Sequence, residues 1–120
     1  AEKLALYKQQ LAMAIDENTW KPILGNITGG LSGPAIKPIA LRIVWEVSRQ
    51  AAIPVIASGG ATSWRDVVQF LLAGASAVEI GSFSLRDPLC FGVIIQGLIR
   101  YMQNNGLESI TEIIGRLKTA

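Results

Sequence analysis

The sequence contains no histidine. That excludes every site built on an imidazole: a histidine triad, a histidine zinc centre, a histidine proton shuttle. It contains one cysteine, Cys90, so no intrachain disulfide can form. With no histidine to serve it, Cys90 reads as a small buried thiol near a helix start, not a nucleophile. No uninterrupted apolar run approaches the roughly 18 residues of a membrane-spanning helix, so no membrane partner is expected. Charge of one sign is also scarce. The chain carries 11 Lys and Arg against 9 Asp and Glu, a net charge of +2. So weak an excess, spread along the sequence, gives no footprint for nucleic acid. The N-terminal AEKLALYKQQ lacks the charged, apolar and small-residue regions of a secretory leader, which makes the cytoplasm the expected location. What remains is an ordinary globular composition. There are 120 residues, half of them apolar, enough for a single domain (1–120) with a modest core.

The chain is organised around Pro54 to Ser82. IPVIASGG is an apolar run of strand length ending in a glycine pair. ATSWRDVVQFLLAGA follows as an amphipathic helix, and SAVEIGS is a second strand ending in Gly-Ser. Strand, helix, strand over about 30 residues is the span of one crossover between parallel strands. The expected strands are Ile53–Ala57, with Pro54 at its beginning, and Ala77–Ile80. Thr62 or Ser63 caps the intervening helix, Ser63 and Asp66 make a capping-box pattern, and Gly74 stops it. Val67, Phe70, Leu71 and Trp64 face the core.

The flanking segments are mostly helical. Ile36, Ile39, Ala40, Ile43, Val44 and Val47 form a stripe on a helix from Pro34 to Gln50, with Pro38 either kinking its start or marking it. Pro88 to Gln103 forms a long helix with Phe91, Ile94, Ile95, Leu98, Ile99 and Met102 inward. Phe83–Asp87 is a short turn or helix. Ser109 to Leu117 forms a terminal helix, with Ser109 and Glu112 in a capping box. Asp16-Glu17-Asn18 is a turn, and Pro22-Ile23-Leu24 a brief extended segment. Residues 1–16 have two readings. Leu4, Tyr7, Leu11 and Ile15 recur at helical spacing, whereas Leu4–Tyr7 alternates as a strand would. The fold class is therefore α/β, with parallel strands and flanking helices. Strands this apolar need both faces covered, and two of them make too narrow a sheet. An extra N-terminal strand, a symmetric copy or the remainder of a larger fold is needed.

Three short segments carry the candidate chemistry: Ser32-Gly33, Gly59-Gly60 and Gly81-Ser82. The last two follow strands directly, and parallel sheets bind ligands beyond the carboxyl ends of their strands. Barrels commonly hold a phosphate in the loops after the last two strands. Glycine lets backbone amides approach an anion, and the Ser32 and Ser82 hydroxyls add donors. The expected ligand is a phosphate monoester held mostly by neutral groups; the plain alternative is that these glycines only make tight turns. Neither a GxxxxGK[ST] nor a GxGxxG pattern is present. Lys37 is either a phosphate counterion or a surface lysine. Asp16 and Glu17 suit turn roles better than an acid pair. Trp20, Trp45 and Trp64, irregularly spaced, suit core or interface packing. No catalytic residue and no metal ligand is identified.

NITGGLSGPAIKPIALR (26–42), IPVIASGG (53–60), DVVQFLLAGASAVEIGS (66–82), and the IIQGLIRYM and SITEIIG segments within 94–115 resemble class 1 dihydroorotate dehydrogenases. The likeness is strongest to the flavin subunit of the NAD-linked, two-subunit type. It runs from about Ala12 onward and covers the C-terminal part of that family's (β/α)8 (TIM) barrel, about its last three βα units. It implies pyrimidine biosynthesis and an FMN phosphate held by backbone at Gly33, Gly59-Gly60 and Gly81-Ser82, with Ser82 where threonine is usual. Ala57 stands where glycine is usual, which implies crowding of the flavin. It further implies hydride transfer from dihydroorotate to FMN, with a cysteine base on an earlier loop. That loop is not among these residues, and Cys90 does not align with it. The family strand resembling GLTLINT falls at positions 3–9, where this chain reads KLALYKQ, with Lys8 and Gln9 in place of ligand-facing residues. Two expectations follow. One is an FMN-phosphate-binding part of such an oxidoreductase that does not turn over alone. The other is a non-enzymatic, engineered, oligomeric scaffold derived from the fragment. Its partner is a second copy or the remainder of the barrel.

Overall fold

A computed structural model describes residues 10–119. The strand-or-helix question at Leu4–Tyr7, and the altered Lys8 and Gln9, lie outside the described residues. The chain divides into two compact units, 1–32 and 33–120.

The described part of the first unit is antiparallel. Strand β1 (Leu11–Met13) pairs with β4 (Thr28–Gly30) in the register Leu11↔Gly30, Ala12↔Gly29, Met13↔Thr28. Between them β2 (Ile15–Asp16) pairs with β3 (Lys21–Pro22). The inner turn is fixed by Asp16, whose Oδ1 accepts from the amides of Asn18 (2.9 Å) and Thr19 (3.4 Å). These bonds, that from Asn18 first, hold its carboxyl below the usual value. The turn reading of 16–18 therefore holds. The helical reading does not hold for residues 10–16. Their Ala, Met and Leu favour a helix, but pairing with Thr28-Gly29-Gly30 supplies the backbone partners instead. Trp20 closes the turn at φ 58 and is 88 % exposed, so it packs in no core among the described residues.

The second unit opens with a 3-10 turn, Pro34–Ile36, that leads into helix α1 (Lys37–Gln50). Pro38 sits in the first turn of α1, where its missing N–H costs nothing, so it marks the start of the helix. Strand β5 (Ile56–Ser58) follows, then α2 (Trp64–Ala73), then β6 (Ala77–Glu79) parallel to β5. The expected crossover unit is present, its first strand starting three residues late. Pro54 donates nothing to a ladder, and the Val55 carbonyl instead takes the Ser76 amide at 2.8 Å. Ser63 caps α2 by accepting from the Asp66 amide (3.3 Å), and Gly74, at φ 124, ends it.

Helix α2 lies between two packed layers. On one side Phe70 and Ala73 join Val44 of α1, Ala57 of β5, Ala61 and Ala75. On the other Val67, Val68 and Leu71 join Cys90, Ile94 and Ile113. Cys90 is buried and free, as the plain reading of the thiol requires. After the short α3 (Ser82–Arg86), α4 (Cys90–Asn104) packs on α2. Trp64 seats against Gly97 of α4, where a Cβ would overlap the indole, and its ring meets Tyr101 at 5.7 Å. Only part of the expected α4 stripe is covered. Ile94 is buried, Leu98 and Met102 are half-buried, and Phe91, Ile95 and Ile99 are exposed. The terminal helix is shorter than expected, a 3-10 turn over Ile110–Ile113 with the Ser109–Glu112 capping box in place. Gly115 turns the chain at φ 73. Its amide and that of Leu117 then donate to the carbonyls of Leu71 and Leu72 at 2.9 and 3.2 Å, satisfying the end of α2.

The described strands thus make one parallel and two antiparallel pairs. The architecture is α/β with mixed pairing, and the described residues do not close a barrel, which narrows the expectation of three parallel βα units. No described helix is long and apolar enough to cross a membrane.

Candidate functional site

Period-2 alternation decides which side chains of β5 and β6 meet solvent. Ala57 is fully buried among Phe70, Ala73 and Ala75, and Val78 packs against the same layer. Ile56, Ser58, Ala77 and Glu79 are exposed. Ala57 therefore points into the helical layer, and the expectation that its methyl crowds a flavin is overturned.

The register ends at Ser58↔Glu79, so the Gly59-Gly60 and Gly81-Ser82 segments both lie just beyond the carboxyl end of the parallel pair. Gly60 holds φ 78, a conformation that residues with a Cβ rarely adopt. A Cβ there would lie 2.7 Å from the Gly33 carbonyl oxygen and 2.8 Å from the Lys37 amide nitrogen. Gly59 is pressed against Ala40 in the same way. The turn after β5 is thus lodged on the start of α1, with Gly33 beside it. At Gly33 and Gly81 a Cβ would meet nothing within 4 Å. The amides of Gly33, Gly60 and Gly81 enter none of the loop hydrogen bonds among the described residues. The structure thus brings Gly60 against Gly33, with Gly59 next to it in the turn, while Gly81-Ser82 follows the neighbouring strand. Ser32 is the exposed last residue of the first unit.

A phosphate monoester fits this donor set. Open space at Gly33 and Gly81 and the uncommitted amides of Gly33, Gly60 and Gly81 are what an anion requires; the first two residues of α1 add no donor, since the Lys37 amide donates to the Pro34 carbonyl and Pro38 has no N–H. The donors there are neutral main-chain amides.

Lys37 is neither a free counterion nor a plain surface lysine. Its Nζ donates to Asp66 Oδ1 at 2.7 Å, with both side chains largely shielded. Asp66 Oδ2 accepts from the Thr62 amide (2.9 Å) and hydroxyl (3.2 Å). Burial pushes the Asp66 carboxyl up, but the Lys37 ammonium and the Thr62 donors outweigh it and hold it below the usual value. Sequence reasoning placed Asp66 only in a capping box. Half of that box forms, and the carboxylate itself turns to Thr62 and Lys37. Thr62 four residues before Asp66 was the readable signal; Lys37, 29 residues away, offered none. Trp45 and Trp64 serve packing, with Arg49 and Arg65 guanidinium groups over their rings at 4.5 and 4.6 Å. No group of three or more His, Cys, Asp or Glu able to hold a metal occurs among the described residues.

These features define a class: an α/β chain carrying part of a barrel, with glycine turns where its parallel strands end. Within that class, the chain belongs to the dihydroorotate dehydrogenase family, whose pattern it matches over residues 7–102. It is 47 % identical over 117 residues to the catalytic subunit of dihydroorotate dehydrogenase B (NAD(+)) of Parabacteroides distasonis, covering 98 % of this chain and 38 % of that protein. To the same subunit of Geobacter sulfurreducens it is 48 % identical over 118 residues, covering 98 % and 39 %. The chain thus spans about two fifths of the length of these relatives. A crystal structure of DHODH from Eimeria tenella in complex with ferulenol superposes with a TM-score of 0.69 at 26 % identity, over 88 % of this chain and 29 % of that one.

Proposed function

We propose that the chain is the FMN-phosphate-binding part of a dihydroorotate dehydrogenase-like oxidoreductase of the NAD-linked type, acting in pyrimidine biosynthesis in the cytoplasm, and that it does not turn over alone. In this reading residues 1–120 form one α/β domain corresponding to the C-terminal part of a flavin-binding barrel. Ser32, Gly33, Gly59, Gly60, Gly81 and Ser82 hold the phosphate end of FMN. The observation that carries the reading is the lodging of Gly60 against the Gly33 carbonyl and the Lys37 amide, beside open space at Gly33. Amides donate to the phosphate oxygens, and the Ser82 hydroxyl adds a donor. Asp66 neutralises Lys37, so geometry rather than net charge selects the ligand. When bound, the flavin supplies hydride-accepting chemistry. None of the chain's own residues is assigned a catalytic role. The purified chain, titrated with FMN, should take up the flavin and show its visible absorption band. Gly60→Val should abolish uptake. A wild-type chain that carries no flavin band after incubation with excess FMN and removal of the free flavin overturns the reading.

A second reading, a non-enzymatic oligomeric scaffold built on the same fragment, is favoured by one observation. The face of β5 and β6 bearing Ile56 is exposed, and the pair has no third strand among the described residues. Light scattering separates the two: a colourless protein of multiple mass fits the scaffold, and a flavin-loaded one fits the enzyme part.

A further inference from the structure

We infer that Lys37, Asp66 and Thr62 are positioning residues for the phosphate cradle, setting its width without touching the ligand; this rests on the FMN-phosphate reading above. The cradle has two walls. One is the start of α1, with Gly33, where the Lys37 amide is already bound to the Pro34 carbonyl and serves only as the surface on which Gly60 rests. The other is the turn Gly59-Gly60 after β5. Two connections besides packing join them, and both run through one carboxylate. Asp66 Oδ1 takes the Lys37 ammonium at 2.7 Å, from the first residue of α1. Asp66 Oδ2 takes the Thr62 amide and hydroxyl at 2.9 and 3.2 Å, two residues beyond Gly60. Asp66 itself is fixed in the first turn of α2, where Ser63 accepts its amide. One shielded carboxylate therefore ties the N-termini of two helices to the turn between them. A charged, partly buried hydrogen-bond hub of this kind is specific in its geometry.

The inference has a sign that separates it from plain electrostatics. Asp66→Asn removes a negative charge near an anion site and frees the Lys37 ammonium. On charge alone, phosphate should then bind more tightly. If the carboxylate sets the spacing of the amides, phosphate binds more weakly, because the donors lose their alignment.

The test compares the full chain with D66N, K37M, K37R and the D66N/K37M double variant, each titrated with FMN and with riboflavin. The ratio of the two affinities isolates the phosphate end and does not follow general stability. The expected result is a fall in FMN-over-riboflavin preference of about tenfold, one charge-assisted hydrogen bond's worth, in D66N and in K37M. The double variant should fall no further, since both changes break one unit, and K37R should stay near wild type. A higher preference in D66N, or additive losses in the double variant, overturns the inference. Amide hydrogen exchange gives a readout without ligand. In D66N, exchange should accelerate at residues 33–37 and 59–62 while Phe70 stays protected. Unchanged exchange in those loops overturns the inference whether or not FMN binds. If the wild-type chain shows no preference for FMN, the functional reading fails by itself, and local acceleration in D66N still sustains the positioning role.

Discussion

The two faces of the β5–β6 pair share one backbone and have opposite fates. On the helical side Ala57 is 0 % exposed and lies among small alanines and Phe70, at close packing. On the other side, one residue away, Ile56 is 60 % exposed, with Ser58, Ala77 and Glu79 also open to solvent. The difference shows how the work is divided. The closed face supplies cohesion; the open face and its glycine ends are what the proposed function assigns to binding.

Four experiments break or sharpen this contrast. The largest effect is expected at the closed face. Phe70→Ala should cost about 3–5 kcal/mol, read from urea unfolding midpoints, because the ring is fully buried. A loss below about 1 kcal/mol would show that the layer under the sheet is loosely packed. Gly60→Ala comes next, at the end of the sheet. Its positive φ and the crowding of its Cβ by the Gly33 carbonyl and Lys37 amide should lower stability by about 1–3 kcal/mol, with FMN uptake impaired as well. Thermal melting and flavin absorbance report the two losses separately.

The third experiment varies pH. The folded-state pKa of Asp66 is depressed, so its contribution is fully present above the unfolded value near 3.8 and is lost as pH falls through the lower folded value. Asp66→Asn should flatten that acid limb of the stability profile relative to wild type. An unchanged limb would mean the carboxylate is not coupled to folding. The smallest stability effect is expected on the open face. Ile56→Ser should change unfolding free energy by no more than about 0.5 kcal/mol, yet should lower any self-associated mass seen by light scattering.

What the sequence revealed follows from the range of each interaction. α1, α2 and the β5–α2–β6 order were readable because apolar period, Ser63 and Gly74 are local signals that agree with the packing. The glycine segments at 59–60 and 81–82 were readable for the same reason, since strand ends and small residues stand side by side in the chain. The antiparallel pairs of residues 11–30 were hidden, because Leu11–Ile15 carries helix-favouring residues and its pairing depends on Gly29 and Gly30. The orientation of Ala57 needed the register of a three-residue strand. The Lys37–Asp66 pair joins residues 29 apart, and no periodicity predicts that meeting. The α4 stripe misled because α2, α3 and the Ile110–Ile113 turn cover only part of it.

The seating of Trp64 on Gly97 reaches beyond this sequence. A glycine in mid-helix ordinarily weakens the helix by about 1 kcal/mol relative to alanine. Here its bare α-carbon is the socket for an indole. Neither position can drift alone: a β-carbon at 97 evicts the ring, and a smaller residue at 64 leaves a void over the glycine. Descendants of this chain should therefore exchange the two together or keep both.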